Sequence, residues 1–368
     1  MPTSGSGVNK PGAAGAAAGL GRTAVVGKNK NRLTIADIAR EVGVSPSAVS
    51  FALNGRPGVS EATRARILQA AERMNWHPHS AARALGGAPA GAVGLVLARP
   101  TRTLGAEPFY AQLIYGMQSV LSARSVALLL QVVDDTDAEL AIYRRWAGEQ
   151  RVDGLLIVDP QTKDPRIAAV EGLGVPAIVL GGHGKHGELP TVWADDREAM
   201  LETVRYLAAL GHTRIAHVAG TPAFQHTQRR IRALKDAAGQ LGLADTQSVP
   251  TDFSDGEGAA VTRRLLSQPD APTAIVYDSD LMAVAGLGVA TEMGVRVPAE
   301  LSIVSFDDSV LTRVVHPKIT ALSRDTHALG VQVAEALMRI VEEPGTVGDI
   351  KAATPRLTVR ESTAKPGR

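Results

Sequence analysis

Apolar side chains first fall into register at Leu33, after which Ile35, Ile38, Ala39 and Val42 recur at i, i+3, i+4 and i+7, the spacing of one buried helical face. Thr34 with Asp37 three residues on makes a capping-box-like start, and Gly43 a stop. A second helix opens almost at once, with Ser45 as N-cap and Pro46 as first helical residue. Ala48, Val49, Ala52 and Leu53 face inward, and Asn54-Gly55 closes it. A third starts at Ser60, with Ile67, Leu68, Ala71 and Met74 inward and Arg64, Arg66 and Arg73 outside. Three short helices with a tight glycine turn between the first two predict a helix-turn-helix unit.

That texture ends at Pro78. A short Ala-rich helical segment, His79–Leu85, leads into the linker Gly86–Gly91. Beyond it, apolar runs alternate with amphipathic stretches. The runs are Ala92–Ala98, Val126–Val133, Gly154–Val158, Ala177–Leu180, Ile215–Ala219, Thr273–Tyr277 and Leu301–Phe306. The helical stretches include Tyr110–Ala123, Glu198–Leu210, Thr227–Leu241, Leu281–Met293 and His327–Val341. Strands buried on both faces and separated by helices imply parallel sheets flanked by helices. One sheet and two similar lobes both fit. Residues 1–31, rich in Gly, Ala, Ser and Lys and without periodicity, read as a flexible tail. Within them Gly19-Leu20-Gly21-Arg22-Thr23-Ala24 spells a dinucleotide fingerprint, but no strand precedes it, and the chemistry needs one.

Composition narrows the class. The chain has 368 residues, too many for one ordinary domain, with 45% hydrophobic and 21% charged residues as in folded globular chains. It has no run of about 18 apolar residues that would span a bilayer and no export signal at its start, so a cytoplasmic protein is expected. Having no cysteine removes disulfides, thiolate metal sites and cysteine nucleophiles, and agrees with a reducing compartment. Charge is the more telling quantity. Residues 1–88 hold 11 Lys+Arg against 4 Asp+Glu, whereas the remainder holds 28 against 33. A basic end on an acidic body suggests a polyanionic partner.

The second helix is the candidate reader of a DNA major groove, because its inward face leaves Pro46, Ser47, Ser50 and Phe51 outside, where hydroxyls and a ring can reach base edges and thymine methyls. The basic third helix would then touch phosphates. A helical bundle that binds protein would show the same pattern. Signals of catalysis are thin: there is no nucleophile elbow, no zinc-protease motif and no complete phosphate loop. His183 and His186 stand three apart in a Gly-rich loop with no third ligand evident, so a solvated loop is the simpler reading. Asp307-Asp308, directly after a strand, suit an acid pair or a ligand's hydroxyls equally. No cofactor is expected, and no metal.

The run Leu33–Ser45, followed by Ala48-Val49-Ser50, Leu53-Asn54-Gly55 and Val59–Arg64, closely resembles the DNA-binding domain of the lactose-repressor (LacI/GalR) family. The likeness continues through Trp76-His77-Pro78-His79, Val152–Leu155, Leu210-Gly211-His212 and Ile303–Ser309, and covers the chain from about Leu33 to Arg360. It implies an N-terminal all-α helix-turn-helix domain and an α/β core resembling periplasmic sugar-binding proteins: two lobes joined by three crossings, with a ligand in the cleft. The expected boundaries are a tail at 1–31, the helix-turn-helix at 32–78, a hinge helix and linker at 79–91, the two-lobed effector and dimerisation domain at 92–361, and a tail at 362–368.

By the same resemblance, Pro46, Ser47 and Phe51 fall where family members read bases. Leu85 falls on the leucine that paired hinge helices wedge into the minor groove, which kinks DNA by unstacking one step. The whole expected DNA-contacting set is Thr34, Ser45, Pro46, Ser47, Ser50, Phe51, Asn54, Arg83 and Leu85. Expected effector contacts are Phe109, Tyr110, Asp196, Arg230, Phe253, Ser279, Asp280 and Asp307. Three of these positions depart from common family residues. Ser279 replaces the Asn of an Asn-Asp pair, Asp195-Asp196 replaces Asp-Asn, and Phe51 replaces a polar residue. The stretch Arg99–Glu107 is longer than usual.

The implied mechanism is a regulator, of repressor type, that binds a palindromic operator in double-stranded DNA as a homodimer, one protomer per half-site. Only eight residues follow Arg360, too few for a tetramer-forming zipper. A small-molecule effector, a sugar or related polar metabolite, would change the angle between lobes and so the spacing of the hinge helices. A solute-binding protein without a regulatory role is the alternative; it would share the body but lack residues 1–88.

Overall fold

A computed structural model describes residues 33–76, 89–99, 108–184, 186–243 and 245–367. The tail at 1–31, the hinge segment His79–Leu85 with Arg83 and Leu85, and most of the Arg99–Glu107 stretch lie outside the described residues. The chain divides into two compact units, Met1–His79 and Ser80–Arg368.

The first unit consists of α1 (Ile35–Val42), α2 (Pro46–Leu53) and α3 (Glu61–Arg73). Ile38, Ala39, Val42, Val49, Ala52, Ile67, Ala70 and Ala71 form its core, with Ile35, Leu53, Met74 and Trp76 packed at the margin. Gly43 adopts the left-handed conformation (φ 74°) and donates its N–H to Ala39 O, so α1 can stop and α2 start within three residues. Leu68, expected inward, is 46% exposed. The buried face of α3 runs through Ile67, Ala70, Ala71 and Met74, and Leu68 lies about 100° around the helix from Ile67.

The second unit holds two six-stranded sheets. One has the order β11-β5-β4-β3-β1-β2, with β1 (Ala92–Ala98), β2 (Ala127–Val133), β3 (Gly154–Val158), β4 (Ala177–Leu180), β5 (Thr191–Trp193) and β11 (Ile350–Lys351). The other has the order β12-β10-β9-β8-β6-β7, with β6 (Arg214–Ala219), β7 (Asp245–Pro250), β8 (Ala274–Tyr277), β9 (Ser302–Ser305), β10 (Thr320–Ser323) and β12 (Arg356–Thr358). All pairings are parallel except that of β10 with β12. The helices α4 (Pro108–Ala123), α5 (Thr136–Gly148), α6 (Pro165–Leu173) and α12 (Thr326–Glu342) cover the first sheet. The second is covered by α7 (Asp196–Leu210), α8 (Gln225–Leu241), α9 (Asp255–Leu266), α10 (Asp280–Glu292) and α11 (Val310–Val314). Each sheet has an apolar cluster on both faces, which is why its strands read as continuous apolar runs.

The chain passes between sheets three times: after β5, between β10 and α12, and between β11 and β12. Residues 362–368, expected as a tail, are not free at their start. Ser362 is fully buried, donates its hydroxyl to Ile303 O at 2.6 Å and accepts Thr320 N–H, while Ala364 N–H donates to Ser302 Oγ. Unpaired groups along β9 and β10 recruit this segment. At the α4–α12 contact, a Cβ on Gly116 would overlap the carbonyl oxygen of His327, and one on Gly330 that of Leu113, so these two glycines allow the helix backbones to touch.

Candidate functional site

In the helix-turn-helix unit, capping engages several of the expected DNA contacts. Ala48 N–H donates to Ser45 Oγ at 3.2 Å; Thr34 donates its N–H and hydroxyl to Asp37 Oδ2 at 2.8 and 2.7 Å. Asn54 Nδ2 donates to Ser50 O at 2.8 Å and closes α2. Pro46, Ser47 and Phe51 are exposed on one side of that helix; the Phe51 ring is 38% exposed and lies against Gly58. Of the arginines of α3, expected at phosphates, Arg64 is half-buried and points inward, while Arg66 and Arg73 stay exposed. Arg64 donates to Ala52 O at 3.2 Å and Arg56 O at 3.0 Å, Arg66 to Val42 O at 2.8 Å, and Arg73 pairs with Glu41 at 3.6 Å. Arg64 and Arg66 thereby satisfy carbonyls at and beyond the ends of α1 and α2, a need that a sequence pattern does not display.

In the second unit, a cavity of about 510 Å³ lies at the carboxyl ends of both sheets. Phe109, Tyr110, Asp196, Arg230, Phe253, Ser279, Asp280 and Asp307 all line it, brought together from six separate stretches of chain. The loops after β1, β3, β8, β9 and β10 deliver side chains into it, the usual ligand position in open parallel sheets. Sequence reasoning did not name Arg99, Asp159, His226, Asp278 or Arg324, which line it too.

These charges are organised in layers. Asp278, wholly buried after β8, accepts from His217 Nε2 at 2.9 Å, Gly220 N–H at 2.8 Å and Arg230 Nη1 at 3.0 Å. Burial would raise its carboxyl, but Arg230 and His217 outweigh it and hold it well below the ordinary range. Arg230 also donates to Asp196 Oδ1 at 3.0 Å and stacks over Phe306, with its carbon 3.7 Å from the ring centre. Burial alone would lower its guanidinium, yet Asp196, Asp278 and Asp307 keep it above its ordinary value.

On the first sheet, Arg99 pairs with Asp159 at 2.8 Å, and Tyr110 donates to the same carboxylate at 2.5 Å. Burial opposes ionisation of Asp159, but Arg99 above all brings it down to about 2. Asp159 has a left-handed backbone (φ 50°), and its carbonyl accepts from Arg166, itself held between Glu139 and Asp164. Arg99 then reaches across the cleft to lie 4.9 Å from the Phe224 ring and 4.7 Å from Phe253. Beside it the lobes bond directly: Thr162 N–H donates to Ala223 O at 3.0 Å and Gln225 N–H to Pro160 O at 2.9 Å. Phe253 also carries a left-handed backbone (φ 69°), and its ring occupies the space a Cβ on Gly220 would need.

The neighbouring aspartates have different jobs. Asp308 accepts from Arg360 at 2.6 Å, Ser323 at 2.5 Å and Thr312 at 2.7 Å, which ties the β9 loop to β10 and the chain beyond β12. Asp307 accepts from Arg324 at 3.0 Å and otherwise faces the cavity. Ser279 caps α10 by accepting Met282 N–H at 3.3 Å. Asp280 next to it is pushed up to about 6, first by burial and then by Asp307. Burial, then Arg230, depresses the His226 imidazole, favouring its neutral form. Arg230 Nε and Arg324 Nε are buried with no partner among the described residues. His183 stacks on Trp193 (4.3 Å between centres) and His186 Nε2 lies 3.1 Å from Gly182 O; no group of three metal-ligating side chains occurs among the described residues. Nor is any helix among them long and apolar enough to cross a membrane.

Comparison with known proteins fits both units. Residues 34–79 match "Bacterial regulatory proteins, lacI family", and residues 204–363 match "Periplasmic binding protein-like domain". An HTH-type transcriptional regulator from the aml 5' region of Streptomyces limosus is 32% identical over 347 residues, covering 90% of this chain and 94% of that protein. Catabolite control protein A of Priestia megaterium is 27% identical over 336 residues, covering 90% of this chain and 99% of that one. Among solved structures, a LacI family transcriptional regulator from Bifidobacterium animalis subsp. lactis is 35% identical over 76% of this chain and all of its own, with a TM-score of 0.70. A complex of the regulator CelR with cellobiose is 27% identical over 90% of this chain and all of its own, with a TM-score of 0.68.

Proposed function

This chain belongs to the lacI family of bacterial regulatory proteins, and from that premise we propose that it is a repressor that releases or grips its operator according to a polar small molecule in the second unit's cavity. It is a DNA-binding transcriptional regulator with a helix-turn-helix domain and a periplasmic-binding-like domain; its relatives are regulators rather than enzymes. The observation that carries the effector reading is the convergence of eight family-register positions, from six stretches of chain, on one cavity lined by carboxylates, guanidiniums and aromatic faces. Such a lining suits a ligand with hydroxyl groups and an apolar ring face. CelR, a relative of similar length, has been captured with cellobiose, which supports the same class.

Pro46, Ser47 and Phe51 are the side chains best placed to read bases, since they are exposed while Thr34, Ser45 and Asn54 are engaged in capping. A homodimer would match two half-sites. Supporting it, α4 leaves Tyr115 63% exposed and the edge strand β2 leaves Leu130 47% exposed, large apolar groups that a second copy would cover. The protein would act in the cytoplasm, on chromosomal DNA. The test is a gel-shift selection from genomic fragments with the full chain, followed by footprinting. A two-fold symmetric protected site whose affinity changes when a bound metabolite is added is expected; absence of any sequence-specific, salt-sensitive binding would refute the reading.

A further inference from the structure

The buried and half-buried guanidiniums around the cavity are each already matched by carboxylates: Arg99 by Asp159 at 2.8 Å, Arg230 by Asp196 and Asp278 at 3.0 Å, and half-buried Arg324 by Asp307 at 3.0 Å. Asp280 differs from all of these. It is 3% exposed and lines the same cavity, and no basic side chain among the described residues pairs with it. Its neighbours are the N–H of Leu281, which donates to Oδ1 at 2.8 Å, the Ser309 hydroxyl, and a second carboxylate, that of Asp307. A buried carboxylate beside another carboxylate needs either a proton or a cation.

Apart from exposed Arg313, the guanidiniums lining the cavity are already engaged, so deeper in it an incoming phosphate or carboxylate meets an excess of negative charge: Asp159, Asp196, Asp278, Asp280 and Asp307 against Arg99, Arg230 and Arg324. An incoming ammonium would supply the missing counter-charge. The rest of the lining suits a polyhydroxylated ring: the free Nε–H groups of Arg230 and Arg324 can donate to hydroxyl oxygens, and Phe109 and Phe253 offer flat apolar faces. We infer, building on the regulator reading above, that the effector is a polyhydroxylated ring bearing a protonated amino group and no acidic group, with the amine seated against Asp280 beside Asp307. Selection then comes from rejection as well as attraction, since the surplus carboxylate penalises acidic relatives of the same ring.

The test uses the full chain and matched probes: three aminohexoses, the corresponding neutral hexoses and the corresponding hexose 6-phosphates, each titrated by calorimetry at pH 7.5 against wild type and Asp280→Asn. Aminohexoses are expected to bind at least roughly tenfold tighter than their neutral partners, the margin of one charge-assisted contact. The phosphates should not bind. Asp280→Asn should bind amino and neutral forms alike, and its unchanged circular dichroism would show that it folds. The inference is overturned if no aminohexose binds, if neutral forms or phosphates bind as tightly as amines, or if Asp280→Asn keeps the preference. Wild type is assayed for operator binding in parallel, both without ligand and with each sugar. A chain that prefers amines but binds no DNA would sink the regulator reading and leave this one standing.

Discussion

Replacing Asp280 by Asn is expected to stabilise the protein above pH 6 and to change little near pH 4. The carboxyl's ordinary value is 3.8, and in the fold it rises to about 6, because burial and then Asp307 disfavour the charged form. The folded chain thus holds this proton more tightly than the unfolded chain does. Stability from the protonated form is complete below about 3.8, falls as pH rises, and is gone above about 6. At roughly 1.4 kcal/mol per pH unit, the interval amounts to about 3 kcal/mol of destabilisation at neutral pH. Asparagine keeps the shape and never ionises, so it removes that cost where the wild type is charged and gains nothing where the wild type is protonated. Urea unfolding of both proteins at pH 4.5, 6, 7 and 8, followed by tryptophan fluorescence, gives the difference directly. A gain that grows with pH and levels off above about 7 is expected. A difference independent of pH, or a variant less stable at pH 8, would refute the argument.

Arg230→Ala should leave Asp278 and Asp196 buried without their cation and cost about 3–5 kcal/mol of stability, besides removing the ligand response; a chemical denaturation midpoint unchanged from wild type would contradict this. Arg64→Ala should lower the thermal stability of the helix-turn-helix unit by about 1–3 kcal/mol, because two carbonyls lose their donor. The salt dependence of DNA binding should stay as it was; a slope shallower by about one would mean that Arg64 contacts a phosphate after all. Gly116→Ala should force α4 and α12 apart and cost about 1–3 kcal/mol, read as a lower melting temperature of the second unit, whereas exposed Gly148→Ala should be neutral or stabilising.

Much of this architecture was legible in the chain because strong periodicity leaves few choices. The face Ile35, Ile38, Ala39, Val42 and the Ser45-Pro46 start could only be read as short helices with a tight turn, and the runs Ala92–Ala98 and Gly154–Val158 as buried strands. The strand Asp245–Pro250 was not legible: it lies at a sheet edge, is only partly buried, and reads Asp-Thr-Gln-Ser-Val-Pro, without the apolar run that marks the central strands. In the cavity, Asp307 could be picked out because it directly follows an apolar run. Arg99 and Asp159 follow such runs too, and the same rule would have found them. What no local pattern could supply is their pairing, across 60 positions of sequence, or the Arg324–Asp307 contact, since Arg324 follows β10, too short and mixed to stand out. The carbonyl bonds of Arg64 and Arg66 were likewise invisible, because basic residues on a helix look alike whether they meet solvent, phosphate or a neighbouring carbonyl.

The glycine contact between α4 and α12 has a mechanical consequence. Helix α12 enters from the second sheet just after Arg324, yet Gly116 and Gly330 bind it backbone to backbone against α4, whose first turn carries Phe109 and Tyr110. Phe109, Tyr110 and the start of α12 therefore travel as a single rigid wall, while Asp280, Asp307 and Arg230 ride on the opposite sheet. A ligand touching both walls measures the gap between them like a gauge, and Arg324, ion-paired to Asp307 on one wall, lies 5.7 Å from the Phe109 ring centre on the other.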